Sequence, residues 1–142
     1  MDALPIGSSE LWVNFLILLV SVLCVAFFSS SEASLISVSK IRIRSLAEQG
    51  SASAQTVQRV LQNHDKFFAT ILLTENAFII FASSMGTALA ISLFGSGQET
   101  ILLATVVMTM LIVTFGEITP KTLAALASER VSLLAARPVK WI

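Results

Sequence analysis

Residues 115–121 of this chain read F-G-E-I-T-P-K, and they begin at the last of sixteen residues, 100–115, that carry no charge. Because proline has no N–H, the carbonyl of Gly116, four residues before Pro120, loses its helical donor. A free carbonyl beside the Glu117 carboxylate, at the electronegative end of a helix, is typical of a cation site. An alternative stays open, in which Pro120 simply ends the segment and Glu117 pairs with Lys121, four residues later.

Two further groups of polar residues interrupt apolar stretches. The run F-F-S-S-S-E-A-S-L at 27–35 places Ser29 and Glu32 three residues apart, and therefore on one face of a helix. Serines in such a run also bond to the carbonyls of their own helix, which is the more common arrangement. Glu75 and Asn76 lie within the second apolar stretch, where an ionised carboxylate costs about 2.5–3.5 kcal/mol and normally faces a cavity, a partner or an ion.

The ligand types in these groups favour a particular class of ion. Hydroxyl, amide, carboxylate and carbonyl oxygens suit hard cations such as Mg²⁺, Ca²⁺ or Na⁺ better than zinc or copper. The chain has one cysteine, Cys24, in an apolar run, and one histidine, His64, in a polar region. We interpret Cys24 as a packing residue and His64 as a surface residue, since neither has a second soft ligand near it in the sequence.

The elements that would position these groups are membrane spans. Hydrophobic residues make up 55% of the 142 and charged residues 13%, and the mean hydropathy is +0.84. The uncharged stretches predict three spans, at about 11–39, 67–94 and 100–119, because each is long enough or nearly long enough to cross a bilayer. We therefore predict an all-α membrane protein, in contact with the lipid bilayer through most of its length.

The positive charges predict the orientation of these spans. All nine Lys and Arg lie within 40–66 or 121–140, and none precedes the first span or lies in the turn at 95–99. Under the positive-inside rule the N-terminus is outside and the C-terminus cytoplasmic, in a plasma membrane of the bacterial type. Since topology explains the basic residues, nucleic-acid binding is not expected.

The two basic stretches are also expected to be helical. Within 40–66, Gly50 follows R-S-L-A-E-Q as a helix terminator, and Val57, Val60 and Leu61 recur at helical spacing. We predict short amphipathic helices at the inner membrane surface over about 40–66 and 121–142; a solvated helical hairpin is the alternative for the first.

Small residues in the second span suggest a further helix contact. Ala82, Gly86 and Ala90 recur at intervals of four, a stripe that lets another helix approach closely. Because three helices enclose little volume, we predict that the stripe serves a homodimer.

Four motifs in this order resemble the transmembrane domain of the CorC/CNNM (cyclin M) family. They are F-F-S-S-S-E-A-S-L at 27–35, R-I-R-S-L-A-E-Q-G at 42–50, T-I-L-L at 70–73 and F-G-E-I-T-P-K-T-L-A at 115–124. The resemblance implies three spans with juxtamembrane helices, a homodimer, and Mg²⁺ transport, generally efflux coupled to Na⁺ entry. It also implies that Ser29 and Glu117 line the ion site, with Gly116 beside them.

The second span departs from the family pattern. Where such proteins usually carry G-N-x-L-V-N, this chain has T-E-N-A-F-I, so that Glu75 replaces the first asparagine and Ile79 the second. Asn76 matches an additional asparagine of many bacterial members. The predicted metal ligands are thus Ser29, Glu75, Asn76, Gly116 and Glu117.

Two alternatives to transport follow from the same residues. The loss of the second asparagine favours a membrane module that senses a cation or anchors cytoplasmic domains without moving ions. An intramembrane serine hydrolase is disfavoured, because no span holds a lysine or histidine to serve as base, and we expect no enzyme activity. The family normally continues into paired cytoplasmic CBS domains, which this sequence lacks, so the chain is expected to be a fragment of a longer protein.

Overall fold

The structure, a computed structural model, describes residues 7–139, which form seven α-helices and one π-helical segment. The helices are α1 (Ser8–Ser37), α2 (Lys40–Glu48), α3 (Ala52–Gln62), α4 (His64–Phe94), α5 (Gln98–Leu111), α6 (Thr119–Leu126) and α7 (Ser128–Val139). The π segment, Ile112–Ile118, joins α5 to α6 without a break. No β-strand occurs among these described residues, which confirms the predicted all-α class.

Three rods are long and apolar enough to cross a membrane: α1, α4 and the continuous helix Gln98–Leu126, called the third rod below. The three predicted spans are confirmed, with different ends. The first ends at Ser37 because Ser39 caps α2, its hydroxyl accepting from the N–H of Arg42. The second begins at His64, three residues before the predicted start.

The third rod passes through Pro120, although the sequence predicted an end at residue 119. The N–H of Thr119 donates to the carbonyl of Thr114, five residues earlier, in the π pattern. This wider turn lets the helix accommodate a residue that has no N–H of its own. The region predicted as an inner helix at 121–142 therefore contains the end of the third rod, and α7 follows it.

Two glycines end helices in the left-handed region, as the sequence predicted for Gly50. That residue has φ +91°, its N–H donates to the carbonyl of Ala47, and the N–H of Ser51 reaches the carbonyl of Leu46. This pair of bonds is a Schellman motif, which a side chain at the glycine would strain. Gly95, also at φ +91°, ends α4 before the short turn to α5.

The bundle places small polar residues inside and large apolar residues outside. α1 lies at the centre and packs against α4, α7 and the second half of the third rod. Its buried residues include Ser21, Ser29, Ser31 and Ser34, whereas Trp12 and Leu23 are exposed. This arrangement suits a protein whose surroundings are hydrocarbon, since lipid solvates the outward apolar side chains and small inner residues allow close helix contact.

The short helices form a packed layer at one end of the bundle. α2 packs on α3, and both α3 and α1 pack on α7. Buried apolar residues from five helices meet there: Phe28, Leu35, Val38, Ile43, Val57, Ile71 and Ala136. Val60 and Leu61 pack against this cluster, which confirms the amphipathic face predicted for α3.

The small-residue stripe of α4 is used within the chain. Ala82 is buried with Met108 and Ile112 of the third rod. A Cβ at Gly86 would lie only 2.3 Å from the sulfur of Met108, so the glycine is what lets α5 approach. The contact expected for a second copy is therefore filled by the neighbouring span, and the homodimer remains a prediction without support from this stripe.

We expect Gly86→Val to destabilise the chain by about 2 kcal/mol, because the added methyl groups overlap the Met108 side chain. Thermal unfolding in detergent measures the effect. Ala88→Val, on the exposed side of the same helix, is the matched control and should shift stability by less than about 0.5 kcal/mol. Adding Met108→Ala should recover part of the loss; equal effects of the two valines would contradict the close contact.

Candidate cation site

The serines of α1 divide into two groups according to their partners. Ser31 and Ser34 are fully buried and donate to carbonyls of their own helix, those of Phe27 and Ser31. Ser29 is also fully buried, but its hydroxyl donates across the helix interface to Oε1 of Glu75. Both arrangements that the sequence left open for this serine-rich run therefore occur. Ser31 and Ser34 bond to their own helix, and Ser29 bonds to a carboxylate of another helix.

Glu75 is the central residue of this cluster. Its side chain is 2% exposed, and besides Ser29 it has the ammonium of Lys121, whose Nζ lies 3.7 Å from Oε1. The other oxygen, Oε2, is buried and accepts no hydrogen bond. A buried carboxylate with an unpartnered oxygen is costly in a helix bundle and is a ready ligand for a cation.

Glu32 brings a second carboxylate to the same place. It lies one turn after Ser29 on α1, and its Oε2 is 3.4 Å from Nζ of Lys121, without a hydrogen bond. Lys121 thus lies between the carboxylates of two different helices. Two carboxylates and one ammonium leave this group, called the carboxylate–lysine cluster below, with a formal charge of −1.

The predicted ligand set included neither Lys121 nor Glu32, although the sequence placed Glu32 on the same helical face as Ser29. The signal for Glu32 was that spacing of three residues. The sequence suggested two roles for Lys121: a positive charge that sets the orientation of the span, or an ion-pair partner of Glu117. Among the described residues no ion pair joins Lys121 to Glu117; the ammonium contacts Glu32 and Glu75 instead.

Gly116 and Glu117 lie on the π segment beside the cluster. Gly116 is buried, and a Cβ there would come within 3.1 Å of Val25 Cγ1, so the glycine allows the π segment to approach α1. Glu117 is partly buried, and its charge acts on both Glu75 and Lys121. A movement of the π segment toward Glu75 would bring Glu117 to the cluster as a third carboxylate.

The π pattern also affects the carbonyls before Pro120. The N–H of Thr119, which would serve the carbonyl of Phe115 in an α-helix, donates to Thr114. The next residue, Pro120, has no N–H, so it serves neither Phe115 nor Gly116. The predicted loss of a donor at Gly116 therefore extends to Phe115.

The remaining predicted ligand lies elsewhere. Asn76 is exposed on the outer face of α4, where its amide donates to the carbonyl of Leu72. Ile79, at the position of the second family asparagine, packs against the apolar cluster around Met108. Of the five predicted ligands, the structure brings Ser29 and Glu75 into contact, places Gly116 and Glu117 beside them, and turns Asn76 away.

The cluster opens toward a groove between α1 and the third rod. This groove has a volume of about 610 Å³, and its lining includes Glu32, Ser37, Lys121 and Thr122. Within residues 7–139 no three acidic, cysteine or histidine side chains stand close enough together to hold a metal ion. In this conformation the Glu32 and Glu75 carboxylates pair with the ammonium of Lys121 and do not form a ready-made set of metal ligands.

Comparison with protein families identifies the family to which these sequence motifs belong. The family model described as the cyclin M transmembrane N-terminal domain matches residues 15–142. The chain belongs to this family.

Cyclin M relatives occur among curated bacterial proteins. A UPF0053 protein of Haemophilus influenzae is 35% identical over 95% of this chain, and the inner membrane protein YfjD of Escherichia coli is 36% identical over 75%. A polyamine export protein of Salmonella typhimurium is 30% identical over 94% of this chain. The matches cover 30%, 24% and 31% of those relatives. Together with the three apolar rods, they identify an integral membrane protein.

We expect Ser29→Ala to destabilise the chain by about 2 kcal/mol, because it removes a hydrogen bond to a buried carboxylate. Ser34→Ala is the matched control: it is equally buried on the same helix but bonded only to its own backbone, and it should cost less than about 1 kcal/mol. Denaturant unfolding in detergent micelles compares them. Equal losses would mean that the Ser29–Glu75 bond contributes nothing particular.

Proposed function

We propose that this cyclin M domain carries a cation across the membrane, with Mg²⁺ as the substrate and Na⁺ entry as the driving gradient. The observation that carries the proposal is Glu75, a carboxylate within a membrane span whose side chain is 2% exposed and whose Oε2 has no hydrogen-bond partner. Intramembrane carboxylates of this kind are costly, and they generally serve ions, protons or substrates.

The chemistry of the surrounding atoms supports a hard cation. The Ser29 hydroxyl, the Glu32 and Glu75 carboxylates and the nearby Glu117 offer oxygen atoms, and neither cysteine nor histidine is among them. Mg²⁺ prefers oxygen ligands and sheds its water reluctantly, so a site with one or two carboxylates and retained water suits it. The groove beside the cluster offers space for that water.

Movement of the ion would need the spans to shift relative to one another. The π segment contacts α1 at Gly116, and π turns commonly occur at functional sites. We propose that the third rod changes its packing against α1 here, bringing Glu117 toward Glu75 and then away from it. The positive-inside distribution supports a cytoplasmic C-terminus, and the family resemblance supports a homodimer.

A polyamine is the second candidate substrate. A relative that aligns with 94% of this chain is named a polyamine export protein. In addition, the Glu32 and Glu75 carboxylates already form ion pairs with a primary ammonium, that of Lys121. Polyamines carry ammonium groups of the same kind, so the same pair of carboxylates has the chemistry to bind them.

Titration of the purified chain with Mg²⁺, Na⁺ and spermidine separates these substrates. For the correct substrate we expect Glu75→Gln and Glu117→Gln to weaken binding by at least about tenfold, because each removes a charge near the ion. Glu99→Gln, exposed at the start of α5, is the control and should leave the affinity unchanged.

Flux into proteoliposomes, with and without a Na⁺ gradient, then tests transport. Binding of Mg²⁺ or spermidine without flux would support the cation-sensing or anchoring module instead. Absence of binding by all three cations would contradict the proposed function.

A further inference from the structure

Lys121 occupies the place that a substrate cation would take. Its Nζ lies 3.4 Å from Glu32 Oε2 and 3.7 Å from Glu75 Oε1, on the carboxylates that α1 and α4 contribute. Any cation that binds both carboxylates must therefore share the space with this ammonium or displace it. Like charges at such separations repel strongly when they are shielded from water.

The contacts of Lys121 are those of a loosely held ion. Neither Glu32 Oε2 nor Glu75 Oε2 accepts a hydrogen bond, although both are buried. A fixed structural ion pair in such a place would normally satisfy these oxygens, because a buried pair offsets its desolvation only with good geometry and further hydrogen bonds. The ammonium offsets one of the two carboxylate charges and leaves an oxygen of each carboxylate without a hydrogen bond.

A groove beside Lys121 offers space for its side chain outside the cluster. Its side chain is 40% exposed, and together with Thr122 and Ser37 it lines the groove of about 610 Å³ between α1 and the third rod. The flexible stem of a lysine lets its ammonium reach water while its backbone stays in place. Withdrawal into the groove thus requires rotation of one side chain, without rearrangement of a helix.

We propose that Lys121 is a tethered competitor of the transported cation. In the ion-free state its ammonium pairs with Glu32 and Glu75 and offsets one of their two charges; substrate binding displaces it into the groove, and its return favours release of the ion. This inference rests on the proposed transport function and adds a residue that sets affinity. A buried carboxylate pair without a cation after release would be costly, and the tethered ammonium lowers that cost.

The proposal predicts effects of opposite sign on binding and turnover. Lys121→Gln should bind the substrate at least about tenfold more tightly, because the competing charge is gone. Its transport in proteoliposomes should be slower at saturation, because release is no longer assisted. Lys66→Gln, at an exposed position on α4, makes the same change in net charge and should leave both quantities unchanged.

A second measurement uses the unmodified chain, so that it does not depend on the folding of a variant. Reductive methylation followed by mass spectrometry gives the labelling rate of each lysine. Saturating substrate, Mg²⁺ or spermidine according to the titration, should raise the rate at Lys121 several-fold by freeing its amine, with Lys66 as the internal reference.

The outcomes distinguish this proposal from the function on which it rests. If the wild-type chain binds its substrate but Lys121→Gln binds equally or less tightly, or if labelling of Lys121 stays constant or falls, the lysine is a structural partner and the tethered-competitor proposal is wrong. If the wild-type chain binds neither Mg²⁺ nor spermidine, the transport function fails, and this proposal fails with it.

Discussion

The structure depends on one constraint: a carboxylate, that of Glu75, is buried between membrane-spanning helices, where its charge is costly. Each neighbouring element compensates for part of this cost. The central helix α1 supplies a hydroxyl from Ser29, and the third rod supplies an ammonium from Lys121. The other oxygen, Oε2, remains without a hydrogen-bond partner, and the proposed cation site is built on it.

Close packing of small residues makes this arrangement possible. Glycine at 116 brings the π segment against Val25, and glycine at 86 admits the Met108 side chain, so the three rods pack closely around the polar cluster. The apolar layer formed by the short helices lies at one end and fixes the ends of α1, α4 and α7 relative to one another. Apolar side chains that would form the core of a soluble protein instead face outward, toward lipid.

The sequence predicted the elements better than the contacts between them. Span number, helix α3 and the role of Gly50 followed from local patterns, because hydropathy, helical spacing and a left-handed turn are properties of short segments. The family resemblance predicted Ser29 at the site, and the position of Glu75 within a span predicted that carboxylate, but their direct contact was not predicted. The outward direction of Asn76 and the inward one of Lys121 were not predictable, since each depends on how a helix is rotated against its neighbours.

The extent of the third rod was missed for a related reason. A proline after a glycine and a glutamate locally predicts a helix end. The helix continues because the N–H of Thr119 donates to the carbonyl of Thr114, and this hydrogen bond cannot be recognised from the sequence. The small-residue stripe was likewise recognised as a packing surface, but its partner proved to be Met108 of the same chain. A local sequence pattern therefore identifies a packing surface, but the helix that packs against this surface is known only from the structure.

The π segment connects backbone register with the position of charge. A π turn contains about one residue more than an α turn, so its conversion to regular α-helix would rotate everything after it by about 100° around the rod axis. Lys121 follows the segment by three residues, whereas Glu32 and Glu75 are on other helices and would not rotate with it. A change of hydrogen-bond partners in one turn of backbone would thus move the lysine away from both carboxylates, with no need for a whole span to tilt.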